Sequence, residues 1–257
     1  MTPAGSVLLT AEIDRALAGY ETTVQAKVAR HPIIHQVLEQ IGIYHRLGIK
    51  CDTVPVDENV IHWRPASGVL SDGQTSGTLL DNYDGRLAEG IRRGLYAGIV
   101  EAMTNTVHHA YDGEEGRRLK QSIGRRWWML SQEKDGQLTV AICDLGIGIP
   151  RSLPRSSSFP HKAVRELWSV LGLDNSDASA IRVAIEMGKT RTKLKGRGKG
   201  LSDIVDAVNL SPEGSVYLAS NRGVFTCHKG TTKARNHSNS IRGTLVHWVV
   251  PVAPSDS

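Results

Sequence analysis

The chain has 257 residues, 40% hydrophobic and 22% charged, the balance of an ordinary globular protein with room for one large domain or a domain with an appended segment. Aromatic residues make up only 5% and the formal net charge is +5. The core must therefore rest on Val, Ile, Leu and Ala, and the charge permits an anionic ligand without demanding nucleic acid. Cys51, Cys143 and Cys227 are odd in number and far apart, which excludes a disulfide framework and points to a reducing, cytoplasmic setting. The first residues lack the pattern of a signal peptide, and no run approaches the ~18 apolar residues of a membrane span.

In chain order, residues 10–50 read mostly as helix, because "AEIDRALAGYETTVQAKVAR" and "IIHQVLEQIGIYHRLGI" repeat apolar residues at three- and four-residue spacing. "SGVLSDGQTSGTLLDNYDGR" reads as loop, and a long helix follows over about 87–111. "RRWWMLSQEKDGQLTVAICDLG" reads as a hairpin turning at "EKDG", its second run apolar enough for a central buried strand. Trp127 and Trp128, adjacent on a strand, should point to opposite faces, one ring buried. Residues 151–200 are rich in Ser, Pro, Lys and Arg, with helices expected at 161–171 and 177–187. "LSDIVDAVNL" reads as a short amphipathic helix, "SVYLASNRGVFTCHK" as a second hairpin and "GTLVHWVVPV" as a final strand. Helices beside runs of strands indicate an α+β two-layer sandwich with a mixed, mostly antiparallel sheet.

Three segments carry chemistry. In "GIVEAMTNTVHHAYDG", at ~100° per residue, Glu101, Asn105 and His108 fall within about 60° of one another, while Ile99, Ala102, Met103, Thr106 and Ala110 cluster opposite. His109 lies at the border of the polar face, and Gly98 leaves room one turn before Glu101. An amphipathic surface helix would look the same; a functional reading has Asn105 offering an oxygen to Mg²⁺ and Glu101 acting on a water. "CDLGIGIP" puts Asp144 at a strand end, where it can accept from a planar ligand's amino group, with Gly146 and Gly148 letting backbone approach; a capped tight turn is the plainer alternative. "GRGKGLSDIV" places Gly196, Gly198 and Gly200 before a helix, an anion site or a flexible turn.

The "GKT" at 188–190 is not a Walker A loop, since Val183 stands where that motif needs glycine. Nor is there a Rossmann fingerprint. Cys227, His228 and His237 make a poor zinc set without a second Cys pair, and His31 and His35 read as an exposed i,i+4 pair.

Taken in order, the segments resemble the GHKL, or Bergerat-fold, ATPase superfamily. "EAMTNTVHHAY" is similar to its N box, "DLGIGIP" to its G1 box, "GRGKGL" to its G2 box, and "RGTLVHWVVP" to its closing strand. The resemblance covers about residues 85–252. It implies a Bergerat ATP-binding domain over 85–257 with a mobile ATP lid at about 151–200, preceded by a helical and loop segment, 1–84, for dimerisation or partner docking. It implies ATP and Mg²⁺ as cofactors. Asn105 would hold the metal, Glu101 would be the general base, and Asp144 would accept from the adenine amino group, helped by Thr244. Gly146 and Gly148 would give base and ribose room. Gly198 and Gly200 would hold phosphates through backbone amides in a phosphate loop from Gly196 to Gly200, with Arg197, Lys199 and Leu201 also at the nucleotide. His109 matches the family's basic position, although helical geometry alone favours His108.

Within the superfamily the N box is closest to anti-sigma-factor serine kinases, which implies a regulatory protein partner of STAS-like or sigma-factor type. Histidine kinases are the other relatives, but no phosphoacceptor histidine motif is present. The expected function is Mg²⁺-dependent ATP hydrolysis or phosphoryl transfer, ATPase or kinase, used as a switch on a protein partner. The alternatives are a non-catalytic nucleotide sensor and, with less support, a nucleic-acid-associated ATPase using the run "KTRTKLKGRGKG". A homodimer is compatible; a membrane is not expected.

Overall fold

The computed structural model describes residues 1–19, 24–155, 161–190 and 200–254. Strands β1 (Trp63–Gly68), β2 (Trp127–Lys134), β3 (Gln137–Asp144), β4 (Ser215–Ser220), β5 (Gly223–His228), β6 (Thr231–Asn236) and β7 (Thr244–Pro251) build one open sheet in the order β1-β2-β3-β7-β4-β5-β6. Every pairing is antiparallel, so the sheet has no parallel component among the described residues. The helices are α1 (Pro3–Gly19), α2 (Pro32–Gln40), α3 (Ile43–Arg46), α4 (Glu58–Ile61), α5 (Gly73–Asp81), α6 (Glu89–Asn105), α7 (Gly113–Ile123), α8 (Ile149–Ser152), α9 (His161–Val170), α10 (Asp177–Thr190) and α11 (Gly200–Asn209). The fold is thus α+β, with helices laid on an antiparallel sheet.

Both expected hairpins form. Asp135 and Gly136 take φ of 52° and 70°, the paired left-handed conformation that a two-residue turn between twisted strands requires. Asn221 and Arg222 close β4 and β5, with Ser220 opposite Gly223. The last strand, β7, inserts between β3 and β4, and the central strands are buried on both faces. On β3, Leu138, Val140 and Ile142 join the core under α5, α6, α10 and α11, whereas Ala141 and Cys143 join a second core on the opposite face. This two-sided burial explains why "LTVAIC" is nearly all apolar rather than alternating. Trp127 and Trp128 do point to opposite faces, but both rings are buried.

The second core departs from a plain two-layer sandwich. Helix α1 packs across β2 and β3 on the face away from α6. Asp14 of α1 accepts from Trp128 Nε1 at 2.7 Å and from Arg46 Nε at 3.0 Å, tying α1 to the sheet and to the end of α3. With β1 also paired to β2, residues 1–84 share their cores with the rest of the chain, and the boundary expected at 84 separates no two cores. The helical reading of residues 10–50 needs shifting: α1 starts at Pro3, and 24–29 are non-helical before α2 begins on Pro32.

Much of the segment expected as a lid, 151–200, is packed against the rest of the fold. Helix α10 lies against β5 and α11, and its Ile181 and Ile185 belong to the main core. Val183, Ala184 and Met187 join Leu153 and Val164 of α9 in a smaller cluster. Residues 156–160 and 191–199, and with them most of "KTRTKLKGRGKG", lie outside the described residues.

Candidate functional site

The pocket opens between α6, the end of β3, the start of β7 and α11. Asn105, His109, Asp144, Gly148, Leu201 and Thr244 line it, with Ala102, Ile142, Ile149, Leu153, Ala184 and Val246 among its apolar walls. Counting its open mouth, it holds about 740 Å³.

Asp144 is its buried polar anchor. The side chain is 7% exposed at the last position of β3, directly opposite Thr244 of β7. Its Oδ1 accepts from the Gly146 N–H at 2.8 Å, and the Thr244 backbone and hydroxyl also donate to it. Burial nonetheless wins over these hydrogen bonds and pushes the carboxyl up to about 6. With three donors for its roughly four acceptor sites, the carboxylate keeps capacity for one more, such as a ligand's amino group.

The two strand-end glycines act differently. Gly148 has φ of 78°, and a Cβ there would meet Asn221 Nδ2 at 2.7 Å and Ser220 Oγ at 2.8 Å. Gly146 does not line the pocket. A Cβ on it would sit 2.2 Å from the Ala110 carbonyl oxygen, so its bareness lets the loop press against the end of the α6 segment, where Ile147 N–H donates to Ala110 O at 2.7 Å. Room for a base or ribose at Gly146 is therefore not what the fold provides; Gly146 faces a separate polar groove with Arg151 and Arg242.

The α6 segment ends in a turn that the helical period did not anticipate. Thr106–Ala110 form a π-helical turn. Its i→i+5 bonding widens the turn and rotates the chain less per residue than an α-helix does. His109 is thereby carried back to the Asn105 side and lines the pocket, while His108 is exposed. Burial lowers the His109 pKa, outweighing the nearby Asp112 that raises it, so its imidazole favours the neutral form.

Glu101 lies beside the pocket rather than in its lining, on the side of α6 that faces α11. Burial raises its pKa, an Asn105 side-chain hydrogen bond lowers it, and Asp203 of α11 raises it again. Gly98 is not open space: a Cβ there would lie 3.0 Å from Ile204 Cγ1 and 3.2 Å from Trp248 Cζ2. Its absence is what brings α11 and β7 close to α6. Gly200 opens α11; Arg197, Gly198 and Lys199 lie outside the described residues.

Two supporting residues escaped the sequence reading. The Ser220 hydroxyl donates to Gly243 O at 3.0 Å, accepts from Ile149 N–H at 2.8 Å and stands 3.1 Å from Thr244 Oγ1. Asn221 Nδ2 donates to Ile147 O at 2.9 Å. Together they lock the Gly148 loop to the start of β7. The "SN" before a hairpin glycine was visible, but its partner loop is some seventy residues away.

Asn105, the expected metal ligand, lines the pocket with an amide that can offer an oxygen, and among the described residues no group of three or more His, Cys, Asp or Glu is placed to hold a metal. No protein-family model matches the chain, and no curated protein matches it at a significant level.

Proposed function

We propose that the chain is an ATP-binding module of the GHKL, Bergerat-fold type, which uses Mg²⁺-dependent ATP hydrolysis or phosphoryl transfer as a switch on a protein partner. The observation that carries this reading is Asp144: a buried carboxyl at a strand end, bound to Thr244 and Gly146, facing an apolar pocket. An adenine ring suits such a place, because its faces are apolar and its amino group donates to a carboxylate. Asn105 and His109 line the same pocket, where phosphates would follow from the base.

Bound Mg²⁺ would supply charge neutralisation around the phosphates. The chain's own residues do the rest. Asp144 orients the base, Asn105 holds the ion, neutral His109 can donate to a phosphate oxygen, and the α11 N-terminus favours anions. Glu101 is the base candidate, and its raised pKa moves it toward the range useful for accepting a proton near neutral pH.

Purified protein should show a rise in melting temperature with ATP and Mg²⁺ that GTP does not reproduce; no ATP-dependent rise would sink the reading. A second reading, a nucleotide sensor without turnover, draws on one observation: Glu101 stands outside the pocket lining. Phosphate release over long incubation, absent or present, separates the two.

A further inference from the structure

We propose that the outer edge of β6 is a docking site for an acidic segment of a partner protein, which adds to the sheet as an extra strand. The two edges of this sheet are built differently. At the β1 edge, Pro65 lacks an N–H to offer, and Gln40 Nε2 of α2 donates to the Trp63 carbonyl at 3.0 Å. That edge is blocked in the ways edges usually are. At the other end β6 pairs, among the described residues, with β5 alone, and all six of its residues are exposed. Asn236, at its end, accepts from Ala178 N–H at 3.0 Å, where α10 comes up to the strand; the other five residues are exposed. Half of its backbone donors and acceptors therefore point outward, ready for a ladder.

The chain that builds this edge carries charge of one sign, and a carboxylate beside it is Asp177 of α10, which accepts from Arg222 N–H at 2.9 Å at the Asn236 end. Residues 214–254 contain Arg222, Lys229, Lys233, Arg235 and Arg242 and no Asp or Glu. None of the five forms an ion pair among the described residues. Lys233 and Arg235 are two residues apart on one strand, so they share a face at roughly 7 Å spacing. That is the spacing of alternate side chains on an incoming strand, where opposite charges pair directly across the ladder. A single basic residue would serve only to discourage self-pairing; a 41-residue stretch with no carboxylate also repels a second copy of itself and selects an acidic guest. Nucleic acid fits less well, because residues 228–240, the exposed run, include no Phe, Tyr or Trp to stack on a base, only the imidazoles of His228 and His237.

The test uses the full ¹⁵N-labelled chain without nucleotide, so its outcome is independent of the ATP reading. A synthetic peptide of alternating valine and glutamate is titrated to about 1 mM, the range of weak binding. Saturable amide shifts at residues 231–236 are expected, with at least tenfold weaker binding to Lys233→Glu/Arg235→Glu and none for a peptide carrying proline at alternate positions. The charge-reversed variant should in turn bind the valine–lysine peptide, which also shows that it is folded. The proposal is overturned by no saturable shift at this strand, by equal binding to the reversed variant or of the proline peptide, or by tighter, steeply salt-dependent binding of duplex DNA at the same residues.

Discussion

Replacing Gly146 with alanine tests the contact on which the pocket's geometry depends. The added Cβ would lie 2.2 Å from the Ala110 oxygen and 2.6 Å from its Cβ, so loop and π-helical turn must part by about an ångström. Overpacking of this kind costs roughly 1–3 kcal/mol. The 2.7 Å bond from Ile147 N–H to Ala110 O is strained or lost with it, at about 1 kcal/mol. Together these predict a destabilisation of roughly 2–4 kcal/mol, which for a chain of this size lowers the melting temperature by roughly 5–15 °C. Differential scanning calorimetry measures it, and nucleotide affinity should fall in parallel because His109 and Asn105 move with the turn. Gly77→Ala in α5 is the control. Its Cβ meets nothing within 4 Å, and in a helix the change should stabilise by about 0.5–1 kcal/mol. A Gly146→Ala protein melting within ~1 °C of the parent would show that the loop does not rest on Ala110 as described.

Asp144 makes the protein pH-sensitive in a defined direction. The folded chain holds this proton up to about pH 6, whereas an unperturbed carboxyl releases it near 3.8. The raised pKa therefore means that stability falls as pH rises across that window, by about 3 kcal/mol from this group. Binding of an amino group to the carboxylate should do the opposite to affinity, weakening it up to tenfold per pH unit below about 6; calorimetric titrations at pH 5 and 7.5 check both. Glu101→Gln should leave ATP affinity within about twofold while lowering any phosphate release by ~100-fold or more; equal turnover would remove Glu101 from the chemistry. His109→Ala should weaken ATP binding by about tenfold, the worth of one good hydrogen bond to a charged group, and His108→Ala should not, which a paired titration shows directly.

Much of this fold is written where burial dictates residue type. The β2–β3 hairpin was legible because Asp135-Gly136 suits a tight turn and because β3 is buried on both faces. Helix α6 was legible from its apolar stripe. What escaped are elements whose partners lie elsewhere. Helix α5 carries Gly73, Ser76 and Gly77 and looks like a loop, yet Asp72 caps it by accepting from Gln74 N–H at 2.8 Å, and Leu79 and Leu80 bury it. Helix α7, "GEEGRRLKQSI", is mostly charged and polar and starts with Glu114 paired to Arg118 one turn on. Strand β6 has every residue exposed and so no alternation to read.

At the site, the residue types at Asn105, Asp144 and Thr244 were legible, and the structure brings them to one pocket. The choice between His108 and His109 was not, since a uniform α-helical period cannot register the π-helical turn. The polar side of Gly98 was misjudged for a related reason: on a helix wheel the position is vacant, whereas in space Ile204 and Trp248 fill it. Ser220 and Asn221 act across a strand pairing, β4 with β7, that only the topology supplies.

Isothermal titration of ATP with Mg²⁺ into the parent chain and into Asp144→Asn bears on the central claim most directly. The asparagine keeps the acceptor for Gly146 N–H but turns a donor toward the base, in place of an acceptor. The account predicts saturable binding to the parent and a loss of about ten- to a hundredfold in the variant, the worth of one hydrogen bond to a charged group. Equal affinity in the two proteins, or no binding to the parent, would contradict it.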